Sequence, residues 1–137
     1  MKNLFGLVAA GLLAVGCQTT PEPPPYVPQV NVYYADRQEI LDPSFVQWMP
    51  ISEIRCTDSN DGVKKLEAKV KNATTSLLRA KYRVDWLLVD GSVCFDADNS
   101  SWEKVTLKAG QTGELRAIAP DKKCVGFRLS TKLIEFQ

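Results

Sequence analysis

Apolar and polar residues alternate along most of the second half of the chain. In the segment 66–71, Leu66, Ala68 and Val70 alternate with charged residues, and the segment 79–88 repeats this pattern. Period-two alternation is typical of a strand with one buried face. It predicts half-buried strands in these segments. Shorter runs of the same kind predict further strands at 105–107, 114–119 and 125–133.

Turn-forming residues separate these runs at 60–62, 72–76, 90–91, 109–111 and 120–121. Short strands with a turn about every 8 to 15 residues are typical of all-β sandwiches. We therefore predict an antiparallel, immunoglobulin-like β-sandwich of about seven strands at residues 45–137. No segment after residue 45 has a helical pattern.

The residues just before this domain have a mixed pattern. Residues 36–41 predict either a short helix, begun by an Asp36 cap and ended by Asp42-Pro43, or an irregular lead-in.

The N-terminus has the parts of a secretory signal peptide. Lys2 precedes an apolar run at 4–15, which is shorter than the roughly 20 residues of a membrane-spanning helix. Ala14-Val15-Gly16-Cys17 resembles the bacterial lipobox, in which the cysteine is acylated after cleavage. We therefore expect a lipoprotein signal peptide at 1–16 and acyl chains on Cys17. An ordinary signal peptide with a chance cysteine is the alternative.

Residues 17–44 form the predicted tether and lead-in. Gln18, where an Asp usually retains lipoproteins in the inner membrane, implies passage to the outer membrane. The run PEPPPYVP at 21–28 predicts a stiff polyproline II spacer that holds the folded domain roughly 30 Å off the membrane. A ligand for a proline-recognition domain is the alternative.

Composition narrows the function classes. The chain has 137 residues with 17 Lys+Arg and 16 Asp+Glu, and no histidine. Cleavage before Cys17 would remove only Lys2 among the charged residues, which leaves zero formal charge. We see no basic face in the sequence and expect no nucleic-acid partner. The lack of histidine removes the commonest general base and metal ligand.

Three cysteines follow Cys17, and export to an oxidising compartment favours a disulfide. From the expected strand order we predict a bond between Cys56 and Cys94, with Cys124 buried or free. This order places the start of the last strand near Leu78, away from the other two cysteines.

Two short motifs contain side chains of the kinds found in catalytic and metal sites. Ser101-x-x-Lys104 fits a serine nucleophile pattern, but residues three apart on a strand point to opposite faces. Asp96, Asp98 and Asn99 supply oxygen atoms without the spacing of a calcium loop. We predict no catalytic residue, metal or cofactor.

The three tryptophans divide into two groups. Trp86 is expected in the core. Trp48 and Trp102 are candidates for a partly exposed contact surface, with burial in the domain as the alternative.

Residues 54–129 contain the segments LEAKVKN (66–72), YRVDW (82–86), WEKVTLKAG (102–110) and FRL (127–129). Through these segments the chain resembles the YcfL family of small bacterial outer-membrane lipoproteins. The resemblance implies an envelope location and a sandwich, and no established activity.

These observations favour a non-catalytic, lipid-anchored lipoprotein on the periplasmic face of the outer membrane that binds another envelope protein. The alternatives are a structural subunit of an envelope or secretion assembly, and a cell-wall glycan binder or envelope enzyme.

Overall fold

The computed structural model describes residues 21–22, 24–94 and 101–136, and the strands pair in two antiparallel sheets. In chain order the elements are β1 (Asn31–Tyr34), β2 (Gln38–Glu39), α1 (Pro43–Trp48), β3 (Ile51–Asp58), β4 (Lys64–Lys71), β5 (Leu78–Leu87), β6 (Glu103–Leu107), β7 (Thr112–Ile118) and β8 (Gly126–Phe136). The five-stranded sheet has the order β2-β1-β8-β5-β6 and the three-stranded sheet the order β3-β4-β7. The predicted all-β sandwich is confirmed, with eight strands in the described residues instead of about seven.

The core lies between the two sheets and takes side chains from both. On β4, Leu66, Ala68 and Val70 are buried, as their alternation predicted. Trp86 on β5 is 6% exposed, which confirms its predicted place in the core. Alternation therefore located the buried face of these central strands correctly.

The predicted start of the domain at residue 45 is wrong, because β1 belongs to the sandwich. It lies between β2 and β8, with Val32 opposite Ser130. The buried Asn31 opens this strand. Its side-chain oxygen accepts hydrogen bonds from the backbone N–H groups of Leu41 (2.9 Å) and Asp42 (2.7 Å). A polar residue hidden by such bonds breaks the alternation that would reveal the strand.

The helix in this region also differs from the prediction. Residues 36–41 form no helix. The helix α1 instead begins at Pro43 and ends at Trp48, so it extends past residue 45, after which no helical pattern was expected. The Asp42 carboxylate caps α1 by accepting from the backbone N–H of Phe45 (3.1 Å). Proline suits the first helical position, where its missing N–H has no partner to lose. Asp42-Pro43 therefore starts a helix instead of ending one.

The predicted Cys56–Cys94 disulfide is wrong. Cys94 is bonded to Cys124, with 5.9 Å between their Cα atoms, and Cys56 on β3 is free. The cause is the pairing of β8 with β5, which places Gly126 opposite Leu87 instead of near Leu78. Both bonded cysteines therefore lie at the same end of the sandwich, which we call the disulfide end.

Candidate functional site

The outer surface of the five-stranded sheet carries most of the unbalanced charge. Along β5, Arg79, Lys81 and Arg83 alternate with residues that face the core. Strand register adds neighbours from β6 and β8 on the same surface. We call this surface the cationic face; its basic residues are Arg79, Lys81, Arg83, Lys104, Arg128 and Lys132, and its carboxylates are Asp85 and Glu135. On β5, β6 and β8, six cations and two carboxylates leave an excess of four positive charges.

Three lysines lie side by side across the middle of this surface. Lys81 on β5 is directly opposite Lys104 on β6 and Lys132 on β8. We call them the lysine row. Within the part of the chain that the structure describes, none of the three forms an ion pair. Like charges directly opposite on neighbouring strands are destabilising. The row is thus an arrangement that the fold itself does not favour.

Next to the lysine row, two arginines share one buried carboxylate. Asp85 is 1% exposed, and its Oδ2 accepts from Arg128 Nε (3.2 Å) and Nη2 (3.0 Å). Arg83 Nε lies 3.4 Å from the same oxygen, close enough for an ion pair, but Nε is without a hydrogen bond, as is Asp85 Oδ1. We call Arg83 and Arg128 the arginine pair. Their guanidinium groups are held in place by Asp85 and keep unused N–H donors.

Trp102, one of the two predicted contact residues, lies on the cationic face. The Lys81 ammonium is 5.1 Å from its ring centroid, and the Arg83 guanidinium carbon is 5.0 Å away. Both separations suit cation–π attraction. The half-buried indole therefore attracts the cationic groups of Lys81 and Arg83, which are neighbours on the outer side of β5.

Trp48, the other predicted contact residue, lies in a separate aromatic cluster. Its ring makes edge contacts with Tyr26 (5.1 Å between centroids) and Phe136 (4.7 Å). The Tyr26 hydroxyl donates a hydrogen bond to Asp42. Burial raises the pKa of Tyr26 most, and the bond to Asp42 raises it further. No described contact joins this cluster to Trp102. The chain before β1 is thus attached to the domain from Tyr26 onward and covers part of Trp48.

The outer face of the three-stranded sheet provides a contrast, because its charged side chains other than Lys71 are paired. Glu53 contacts Arg55 (2.7 Å) and Lys69 (3.3 Å), and Glu114 contacts Arg116 (2.6 Å). The bond from Arg55 lowers the pKa of Glu53. By strand register this face carries five cations and three carboxylates, an excess of two positive charges, which is half of that on the cationic face.

The remaining sequence candidates include Cys56 and several residues that the structure does not describe. Cys17 and the loop residues Asp96, Asp98 and Asn99 lie outside the described residues. Burial raises the pKa of the free Cys56 thiol, which favours its protonated form. Across residues 24–94 and 101–136 no cluster of acidic or cysteine side chains is suited to a metal ion. The helical segment of the described chain is too short to cross a membrane.

Sequence reasoning missed the cationic face. Its basic residues come from three strands, and the opposite charges elsewhere cancel them in the total. The alternation of Arg79, Lys81 and Arg83 was the one local signal, because period two places all three on the same side of a strand.

Fold and surface together define a small antiparallel β-sandwich with one strongly basic sheet face. The family described as "Protein of unknown function (DUF1425)" matches residues 37–133, and the chain belongs to that family. Comparison with curated proteins finds no match.

Two solved structures are similar to this chain. One is the crystal structure of a DUF1425 family member from Shewanella sp. pv-4, with 18% identity and a TM-score of 0.55; the match covers 61% of this chain and 75% of that one. At this identity the likeness supports the fold alone. The other is the crystal structure of Campylobacter jejuni cj0090, with 32% identity and a TM-score of 0.47, covering 58% of this chain and 80% of that one.

Proposed function

We propose that this protein is a non-catalytic lipoprotein, anchored through acylated Cys17 to the periplasmic face of the outer membrane, whose sandwich binds another envelope protein. The lipobox at 14–17 and Gln18 support the anchor and its location. The resemblance to the YcfL lipoproteins supports the same location. The proposed function involves a protein partner and no cofactor.

The cationic face is the observation that supports protein binding most directly. It combines unpaired lysines with a half-buried tryptophan, and aromatic residues and arginines are enriched where protein interfaces bind most tightly. A catalytic function would need a nucleophile or an acid–base pair at this surface. The face instead offers groups that attract a negatively charged partner.

The tether limits where that partner can be. Since Tyr26 packs on Trp48, only residues 17–25 remain as a spacer. At about 3.1 Å per residue in polyproline II, nine residues reach at most about 28 Å. The sandwich would therefore stay close to the membrane, and the proposed partner would lie or project within that distance.

The anchor is tested by Cys17→Ser. This variant should lose fatty acid labelling, remain uncleaved at the lipobox and leave the outer-membrane fraction, because acylation requires the cysteine sulfur. Cys56→Ser is the control and should keep label and location. Mass spectrometry that finds an unmodified mature N-terminus in the wild-type protein would refute the anchor.

Partner binding is tested by crosslinking in intact cells. Lys81→Glu, Lys104→Glu and Lys132→Glu combined should abolish a specific crosslinked species, because the reversed charges repel an acidic partner. The control combines Lys71→Glu, Lys108→Glu and Lys123→Glu, three exposed lysines outside the cationic face. Loss of the species in both variants, or in neither, contradicts docking through this face.

A further inference from the structure

The lysine row is the starting point for a more specific statement about the partner. Neighbouring strands lie about 4.8 Å apart, so three lysines in register concentrate three positive charges within about 10 Å. The paired charges of the opposite face show that the same sandwich can balance such residues with glutamates. A bound polyanion would remove the repulsion in the row.

The arginine pair adds two cations that are already positioned. Asp85 fixes Arg128 through two hydrogen bonds, and Trp102 lies against Arg83. The side chains of the pair are 27% and 29% exposed, so part of each guanidinium is open to solvent. A fixed guanidinium loses little side-chain entropy on binding and matches the geometry of a carboxylate.

The spacing of these cations suits an extended peptide. Lys81 and Arg83 are two residues apart on β5, or about 6.8 Å at the usual rise of a strand. An extended peptide places its alternate side chains on one face with the same period. Carboxylates at every second position could therefore meet the lysine row and the arginine pair in succession.

A shallow groove beside the lysine row offers room for one apolar side chain. It has a volume of about 240 Å³ and is lined in part by Lys104, Arg79 and Ile134. Ile134 is 40% exposed. Among the residues that line this groove, it is the one exposed large aliphatic side chain. Insertion into lipid uses a broad apolar surface, so the face suits a peptide better than a bilayer.

We infer that the cationic face binds an extended, acidic segment of a partner protein, with carboxylates at alternate positions on the lysine row and the arginine pair. This inference rests on the proposed function and names the chemistry of its partner. A helical or compact acidic ligand would not match the period of the strand.

The test uses the full chain in non-ionic detergent and a fluorescein-labelled peptide of alternating glutamate and threonine. Fluorescence anisotropy at low salt should show binding that weakens about tenfold when Lys81, Lys104 and Lys132 are changed to glutamine, as expected for the loss of three exposed ion pairs. Lys71→Gln, Lys108→Gln and Lys123→Gln combined should leave the affinity almost unchanged. Added salt should weaken wild-type binding.

A stability measurement separates lost binding from lost folding. A variant with Lys104→Gln and Lys132→Gln, which keeps Lys81 over the Trp102 ring, should unfold at the same temperature as the wild type or higher, because it lacks the like-charge repulsion. Its unfolding temperature should also depend less on salt. A lower unfolding temperature at low salt would contradict the inference that the row is strained for binding.

Two other outcomes overturn the inference. One is equal peptide affinity in the two glutamine variants. The other is face-dependent binding of phosphatidylglycerol vesicles or inorganic phosphate without binding of the peptide. The assay uses no cellular partner and does not depend on acylation. Its failure therefore leaves the proposed anchor and the crosslinking test standing, and their failure leaves this assay interpretable.

Discussion

Replacing Cys94 and Cys124 together by alanine is expected to lower the free energy of unfolding by about 3 to 4 kcal/mol. The bond closes a loop with a sequence separation of 30 residues. Without it, the unfolded chain regains the conformational freedom of that loop. Chemical denaturation of the full chain, followed by tryptophan fluorescence, measures the change.

Cys56→Ala is the matched control for this experiment. Its thiol is free and half-buried, so the variant should lose about 1 kcal/mol or less. A reducing agent should destabilise the wild type and Cys56→Ala, and should not affect the double variant. Peptide mapping that links Cys56 to Cys94, or a double variant as stable as the control, would contradict the bond described here.

Asp85→Asn is expected to destabilise the fold by about 3 kcal/mol, because the arginine pair would lose the one negative charge that it shares. Asn keeps the size of the side chain, so the change isolates charge from packing. The carboxylate is buried while the two guanidinium groups are partly exposed. Thermal and chemical unfolding should both report the loss.

Glu135→Gln provides a control in the same sheet. Glu135 pairs with Arg79 across β8 and β5 at 2.9 Å, but both side chains are more than 40% exposed. Exposed ion pairs contribute about 0 to 1 kcal/mol. If the two variants are equally stable, burial of Asp85 does not give its ion pairs the importance assigned to them.

The sequence pattern predicted the central strands but not the short strands of the lead-in. On β4 and β5, alternation of large apolar and charged residues revealed the strands, because each has one face in the core and one in solvent. The four residues of β1 begin with a buried Asn31, and β2 is two residues long. Such short elements depend on the pairing of β1 with β8 and on the bonds of Asn31 to Leu41 and Asp42, which the local sequence pattern does not contain.

Knowing which segments are strands was not enough to predict which cysteines form the disulfide. All three positions after the tether were visible, and an oxidised pair was expected. Which two meet depends on the order of strands within each sheet, since β8 pairs with β5 and brings Cys124 to Cys94. The hydrogen bonds that set this order join residues far apart in the chain, and a strand pairs equally well in principle with several neighbours.

The contact surface was also predicted only in part from the sequence. Local alternation indicated the strand character of the chain and one outward row of Arg79, Lys81 and Arg83. Strand register placed Lys104 and Lys132 on either side of Lys81, and Arg128 beside Asp85. Packing outside the strands put Trp48 against Tyr26 and Phe136 instead of Trp102. Side-chain direction follows from the backbone period within one strand, whereas an excess of charge on a face arises only when separate strands pack side by side.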